Sequence, residues 1–172
     1  MADRDPGDDG RGPVDVRLLS PEEWHLARDA RLAALRDAPE SFLLTQPHES
    51  SWTEQRWRRS CVTGLWAVAQ VGRSIVGLAR LTDEGMGPHV ESVWTHPRYR
   101  RRGVASALVR LLVNAEHARG LADVFVWVIH PNPAAFRLYR SLGFEPTDER
   151  QPLDGLGRVE ERLRLSGAIR GD

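Results

Sequence analysis

The stretch from His89 to Arg119 constrains the fold more than any other part of the chain. It opens as His89-Val-Glu-Ser-Val-Trp-Thr95, whose Val, Trp and Thr content reads as a strand that Pro97 ends. It closes as a helix, with Val104, Leu108, Leu111, Leu112 and Ala115 recurring on one face. Between the two lies Arg100-Arg-Arg-Gly-Val-Ala105, a turn with Gly103 and Ala105 at the mouth of the helix. The first amides of a helix have no partner within it, and small residues let a ligand approach the backbone closely. A strand, a small-residue turn and a helix N-terminus form a site suited to an anion such as phosphate. Three consecutive arginines raise the positive potential there.

The turn lacks the Gly-x-Gly-x-x-Gly pattern of dinucleotide binders, and no Gly-Lys-Ser/Thr follows as in a P-loop. Arg100-x-x-Gly103-x-Ala105 instead resembles the Arg/Gln-x-x-Gly-x-Gly/Ala motif of the GNAT-type N-acetyltransferase superfamily, which grips the pyrophosphate of acetyl-CoA. A second signature lies downstream. Val124 to Ile129 is a continuous apolar run, as expected of a strand covered on both faces. The chain then reads Asn132-Pro-Ala-Ala135-Phe-Arg-Leu-Tyr139-Arg-Ser-Leu-Gly143-Phe144, similar to the family's Asn-x-x-Ala-x-x-x-Tyr-x-x-x-Gly-Phe. A helix puts Asn132, Ala135 and Tyr139 on one face, and Gly143 stands where a left-handed cap is wanted. The two signatures span about a third of the chain, His89 to Phe144, in the family's order.

Length and composition set the frame. The 172 residues suffice for one domain with a full core. The expected division is a disordered tail at 1–13, a single domain at 14–166 and a C-terminal tail at 167–172. The tail 1–13 is rich in Asp, Gly and Pro and lacks the apolar run of a signal peptide. With 41% hydrophobic residues and no apolar run near 18 residues, the chain reads as soluble, with no membrane partner. A formal net charge of zero gives no reason to expect nucleic acid. The lone Cys61 forms no internal disulfide, which suits the cytoplasm; a small buried hydrophobe is its expected role rather than a nucleophile. Every basic residue is Arg, so no internal Lys is available for self-acetylation. No Cys, His and Asp grouping has metal-ligand spacing, so no metal is expected.

Read in order, Val14 to Leu18 makes a first strand. Ser20, Pro21, Glu22 and Glu23 then open a helix that runs to about Asp37, burying Leu26, Ala30, Ala33 and Ala34. Ala38 to Ser50, with Phe42, Leu43 and Leu44, reads as an apolar loop, and Thr53 to Cys61 as a second helix. Trp66–Val71 and Ile75–Leu81 pair through Gly72-Arg73 as a hairpin, with Gly77 marking a weak point or a close backbone approach. After Phe144 come Glu145 to Asp148, a loop over Arg150 to Arg158, and a final strand in which Val159, Glu161, Leu163 and Leu165 share a face. This order matches an α/β (α+β) GNAT fold. The resemblance implies a mixed, mostly antiparallel sheet of about seven strands with about four helices, splayed between strands 4 and 5 to admit pantetheine.

The resemblance also implies roles. Val93, Trp94 and Thr95 would meet pantetheine. Arg101, Arg102, Gly103, Val104, Ala105 and Ser106 would meet the pyrophosphate, with Arg100 to Arg102 as further ion-pair partners. Asn132 matches a cofactor-contacting position and is also placed to cap a helix. Tyr139 is the candidate general acid, since a phenol of pKa about 10 is protonated at neutral pH; a core aromatic is the alternative. For the general base, His89 and Glu91 stand on the fourth strand, where alternation puts them on one face with Val93, and His130 is a third option. The expected reaction is acetyl transfer from acetyl-CoA to a primary amine of a small molecule in a ternary complex. A protein lysine or N-terminal amine, and a non-catalytic acyl-CoA-binding regulator, are the alternatives; monomer and homodimer both stay open. Phe42, Trp52, Trp57, Glu49, Glu54 and the 150–158 loop stand where the resemblance implies that the acceptor enters, but a role as core and rim residues is the favoured reading of them.

Overall fold

The computed structural model describes residues 12–42, 46–120, 123–153, 157–167 and 169. Most of the 1–13 tail, Leu43 and Leu44, part of the 150–158 loop and most of the 167–172 tail lie outside them. Seven strands form one sheet: β1 Asp15–Leu18, β2 Gly64–Val71, β3 Ser74–Thr82, β4 His89–Thr95, β5 Asp123–Ile129, β6 Glu145–Leu153 and β7 Arg158–Ser166, in the order β1-β2-β3-β4-β5-β7-β6. Every pairing is antiparallel except β4 with β5. That parallel pair holds only two rungs, His89 with Phe125 and Val90 with Val126. Beyond them the strands part, as the expected splay requires.

Helices cover both faces. On one lie α1 (Trp24–Asp37) and α3 (Glu54–Thr63), burying Ala27, Ala30, Ala34, Trp57 and Cys61 against Trp66, Leu78 and Trp94. On the other lie α4 (Val104–His117) and α5 (Pro133–Ser141), packed with Val90, Val126, Val128, Leu163 and Leu165. Local chemistry explains the helix starts. Ser20 and Glu23 form a capping box at a 3-10 turn before α1, and Thr53 Oγ1 accepts from the Arg56 amide at the head of α3. Burial raises the pKa of the Cys61 thiol, consistent with a packing role.

The structure differs from the sequence reading in several places. The buried stripe of α1 is Ala27, Ala30, Arg31, Ala34 and Leu35, leaving Leu26 and Ala33 half-buried at its flanks. A short helix, α2 (Gln46–Ser50), occupies part of the expected 38–50 loop. Strand β5 is covered on one side only: Val124, Val126 and Val128 are buried, whereas Phe125, Trp127 and Ile129 are half-buried. Strand β6 continues to Leu153, past a bulge marked by left-handed Asp148, so residues 150–153 are strand rather than loop. On β7, Val159 shares the side of Leu163 and Leu165 yet is exposed, because periodicity defines a face without defining what covers it.

The most consequential difference is a bulge in β4. Arg80 pairs with Glu91 and Leu78 with Trp94, so Ser92 and Val93 together oppose one residue of β3. Ser92 takes up the extra length with φ +56°. Alternation therefore resets: His89, Glu91 and Trp94 share one face, and Val93 turns to the other, against the α4–α5 core. His89, Glu91 and Val93 do not share a face.

Candidate functional site

Where β4 and β5 part, a cleft crosses the sheet in two connected halves of about 630 and 460 Å³. Both volumes fall within the ordinary range for small-molecule sites. Phe42, Val93, Asn132, Ala135 and Tyr139 line both halves and mark their junction.

The larger half holds the arginine-rich turn. After β4 the chain makes a 3-10 turn, Pro97–Tyr99, then reaches Gly103 in the left-handed conformation, φ +77°. Gly103 brings no capping side chain to α4, and a Cβ built there would touch nothing within 4 Å. Its carbonyl accepts from the Ala107 amide at 2.9 Å, so the preceding amides of α4 lack helical partners and face open space. A 14-residue helix also directs the positive end of its dipole here. Val93, Thr95, Arg100, Arg101, Val104, Ala105 and Ser106 all line this half, and the Thr95 hydroxyl is buried without a protein partner.

The three arginines are not equivalent. Arg100 donates through Nε to the Thr95 carbonyl at 3.1 Å and through its terminal nitrogen to Asp37. Asp37 accepts in addition from Trp94 Nε1 at 2.9 Å. Arg100 thus ties the turn to the end of α1, and the Trp94 ring is anchored in the α1 core, leaving its backbone for the cleft. Arg101 is left-handed at φ +63° and lines the cleft. Arg102 stacks over Tyr99, 5.2 Å from the ring centroid. Asn132 Oδ1 accepts from the Ala135 amide at 3.0 Å, capping α5 at the junction.

Tyr139 is 5% exposed, sits edge-on to Phe144 at 5.4 Å, and reaches both halves. Burial pushes its phenol well above the ordinary tyrosine pKa, so it stays protonated at any physiological pH.

The smaller half is walled by Phe42, Trp52, Trp127, Ile129 and several charged groups. Arg31 binds Glu49 through Nε and one terminal nitrogen (2.7–3.1 Å) and lies 4.4 Å over the Phe42 ring. Glu49 is 2% exposed and neutralised, not an exposed acid. Arg80 binds Glu91 at 2.8 Å, and Arg56 stacks 4.2 Å over Trp52. Glu160 is buried on this wall. The structure thus brings Glu91 and Tyr139 to the cleft but leaves His89 outside both halves. His89 Nδ1 lies 2.5 Å from the Gly87 carbonyl, its ring rests 5.4 Å from Phe125, and burial lowers its pKa. His130 lies outside as well, with Nε2 3.0 Å from Glu161 and its ring on Phe136. Trp57 is core, and Glu54 is exposed and paired with Arg58.

Sequence reasoning missed Glu160, Trp127 and Asp37. Glu160 reads as an outward residue of an alternating strand. The pairing of Ile129 with Glu160 is what brings it beside the cleft. Among the described residues no three His, Cys, Asp or Glu side chains gather as a metal-binding group, and no helix is long and apolar enough to cross a membrane.

The model of the acetyltransferase (GNAT) family matches residues 31–144. An acetyltransferase of Pectobacterium atrosepticum, ECA0875, is 32% identical over 84 residues, and one of Yersinia pestis is 33% identical over the same length. Each match covers 49% of this chain and 60% of the relative, so the chain spans well under the whole of these proteins. The fold is shared with yncA of Salmonella typhimurium, solved with its cofactor acetyl-CoA. That likeness has a TM-score of 0.72 and 14% identity, and covers 94% of this chain and 98% of the other. The PaiA N-acetyltransferase of Thermoplasma acidophilum, solved with coenzyme A, gives 0.68, 14%, 90% and 99%.

Proposed function

The chain belongs to the acetyltransferase (GNAT) family, and from that premise we propose that it transfers the acetyl group of acetyl-CoA to a primary amine of a small molecule in a ternary complex. Acetyl-CoA enters as a substrate consumed in each turnover. The observation that carries this reading is the open, uncapped N-terminus of α4 at one end of a continuous cleft, with Tyr139 midway and a polar chamber at the other end.

The α4 amides and the Arg101 side chain receive the pyrophosphate, because partnerless N–H groups, a helix dipole and a guanidinium all favour an anion. Val93, Trp94 and Thr95 offer backbone groups along the pantetheine path. Asn132 uses its carbonyl oxygen as a cap and keeps its NH₂ for the cofactor. Amine and thioester then meet at Tyr139, held in line by the walls. Tyr139 donates its proton to the departing thiolate. The burial that makes its phenol a weaker acid acts on the thiolate too, so the proton still has reason to move. Glu91 is held by Arg80, and His89 lines neither half of the cleft.

A small amine fits a chamber of about 460 Å³, closed on one side by Phe42 and Trp52, better than an extended peptide. The cytoplasm is the proposed location, in keeping with a single buried thiol. Thiol release from acetyl-CoA with polyamines, aminoglycosides, amino acids and lysine peptides tests the reading. Turnover confined to small amines supports it, and turnover confined to the peptides replaces the acceptor with a protein.

A further inference from the structure

We propose that Glu160 binds the acceptor as its ammonium and takes the proton that frees the amine for attack. This rests on the transferase reading above and assigns the one role that reading leaves unfilled.

Four glutamates are buried among the described residues: Glu49, Glu116, Glu160 and Glu161. Three have a cationic partner. Glu49 has Arg31 at 2.7 Å, Glu116 has Arg119 at 3.5 Å, and Glu161 has Arg150 at 3.2 Å and His130 at 3.0 Å. Glu160 is 4% exposed, and its hydrogen bond is to a neutral group, Gln151 Nε2, at 2.5 Å. No ion pair to it occurs among the described residues. A buried carboxylate without a countercharge is costly, and a fold keeps one where a cation is to arrive.

Its position fits that arrival. Glu160 faces the acceptor chamber, which Trp127, Ile129 and Tyr139 also line. Across β5 it pairs with Ile129, and across β6 with Gln151, which holds one carboxylate oxygen and orients the other. On its own strand Arg158 and Arg162 share its side. Arg162 is turned away, 3.8 Å over Phe125 and bonded to Glu149 and the Met86 carbonyl. Glu91 makes the contrast: its side chain is 45% exposed and Arg80 holds it.

The protons balance as follows. The ammonium gives one proton to Glu160, which later releases it to solvent. The freed lone pair forms the N–C bond with the thioester carbonyl carbon, and the C–S bond breaks. Tyr139 protonates the thiolate and is restored by the second proton leaving the new amide nitrogen. One ammonium and one acetyl thioester yield one amide, one thiol and one proton.

The test is thiol release from acetyl-CoA with n-butylamine and spermidine, measured from pH 6 to 10 for wild type and Glu160→Gln, with acetyl-CoA affinity by calorimetry. Glu160→Gln is expected to bind acetyl-CoA unchanged and to lose about 10²–10⁴-fold in kcat/KM at pH 7. Its rate should then climb about tenfold per pH unit as solvent supplies the neutral amine, closing the gap toward the amine's own pKa, near 10.4 for an alkylamine like that of lysine. Glu160→Asp, which keeps the charge, should retain the wild-type pH profile at reduced rate, and it decides the matter if the Gln variant does not fold. A Glu160→Gln rate within a few-fold of wild type at pH 7, or a loss equal at every pH, overturns the assignment and leaves the transferase reading standing. Failure of the wild type to release thiol with either amine overturns the reading itself.

Discussion

Gly77 lies directly under Val104: a Cβ at Gly77 would sit 2.8 Å from Val104 Cγ1 and 3.1 Å from Leu108 Cδ1. The absent side chain lets the first turn of α4 settle onto β3, and that seating aims the uncapped amides into the cleft. Gly77→Ala should therefore push the helix outward, costing about 1–3 kcal/mol as overpacking does. At this chain length that corresponds to a Tm fall of about 2–4 °C per kcal/mol. Because Val104 is the obstacle, Val104→Ala should recover part of the loss in the double variant. Thermal melts of the four proteins check this; strict additivity would mean the two residues do not touch.

Asp37 makes the turn depend on α1. It accepts from both Arg100 and Trp94, joining the arginine-rich turn, the end of β4 and the first helix. Asp37→Asn keeps the shape and removes the charge. The KM for acetyl-CoA should rise several-fold with kcat little changed, because the turn loosens while the chamber does not. An unchanged KM would make the bond ornamental.

Much of this site was legible in the chain. Gly103, Asn132 and Tyr139 line the cleft and stand in the two stretches that carry the family resemblance, so the sequence located them through that resemblance. The mixed sheet and its splay followed from the family resemblance that the same stretches carry. What stayed hidden depends on pairing across strands. Ser92 takes the extra residue of a bulge only because β3 demands that register, and this turns Val93 away from Glu91. Glu160 becomes a cleft residue only through β5 and β6, and α2 forms in a stretch whose composition reads as loop. Asp37 and Arg100 are 63 residues apart, and no local pattern links them.

Burial lowers the pKa of His89 in the folded chain. The unfolded state therefore binds a proton that the folded state refuses, and this group's stabilising effect is complete above its ordinary value of about 6.5. Stability should fall as the pH drops below that value, until His89 protonates in the folded state as well. Urea midpoints across the range should show this slope, and His89→Gln should reduce it. Acetyl transfer should persist in that variant, since His89 stands outside the cleft; loss of turnover with acetyl-CoA still bound would return His89 to the mechanism.

Tyr139→Phe keeps the ring against Phe144 and removes the one proton it can give. The variant should fold, bind acetyl-CoA with wild-type affinity and lose about 10²–10⁴ in kcat with any amine accepted by the parent. Burst kinetics would establish that chemistry limits the rate. Turnover within a few-fold of the parent under that condition would reduce Tyr139 to a packing residue.

The central claim is that the α4 N-terminus holds the pyrophosphate of acetyl-CoA. Gly103→Glu tests it most directly, because the position is open and the new carboxylate stands where the phosphates would lie. Titration calorimetry with acetyl-CoA should show binding to the wild type and a loss of at least about tenfold, or about 1.4 kcal/mol, in a variant that remains folded. Equal affinity in a folded Gly103→Glu protein would contradict the account.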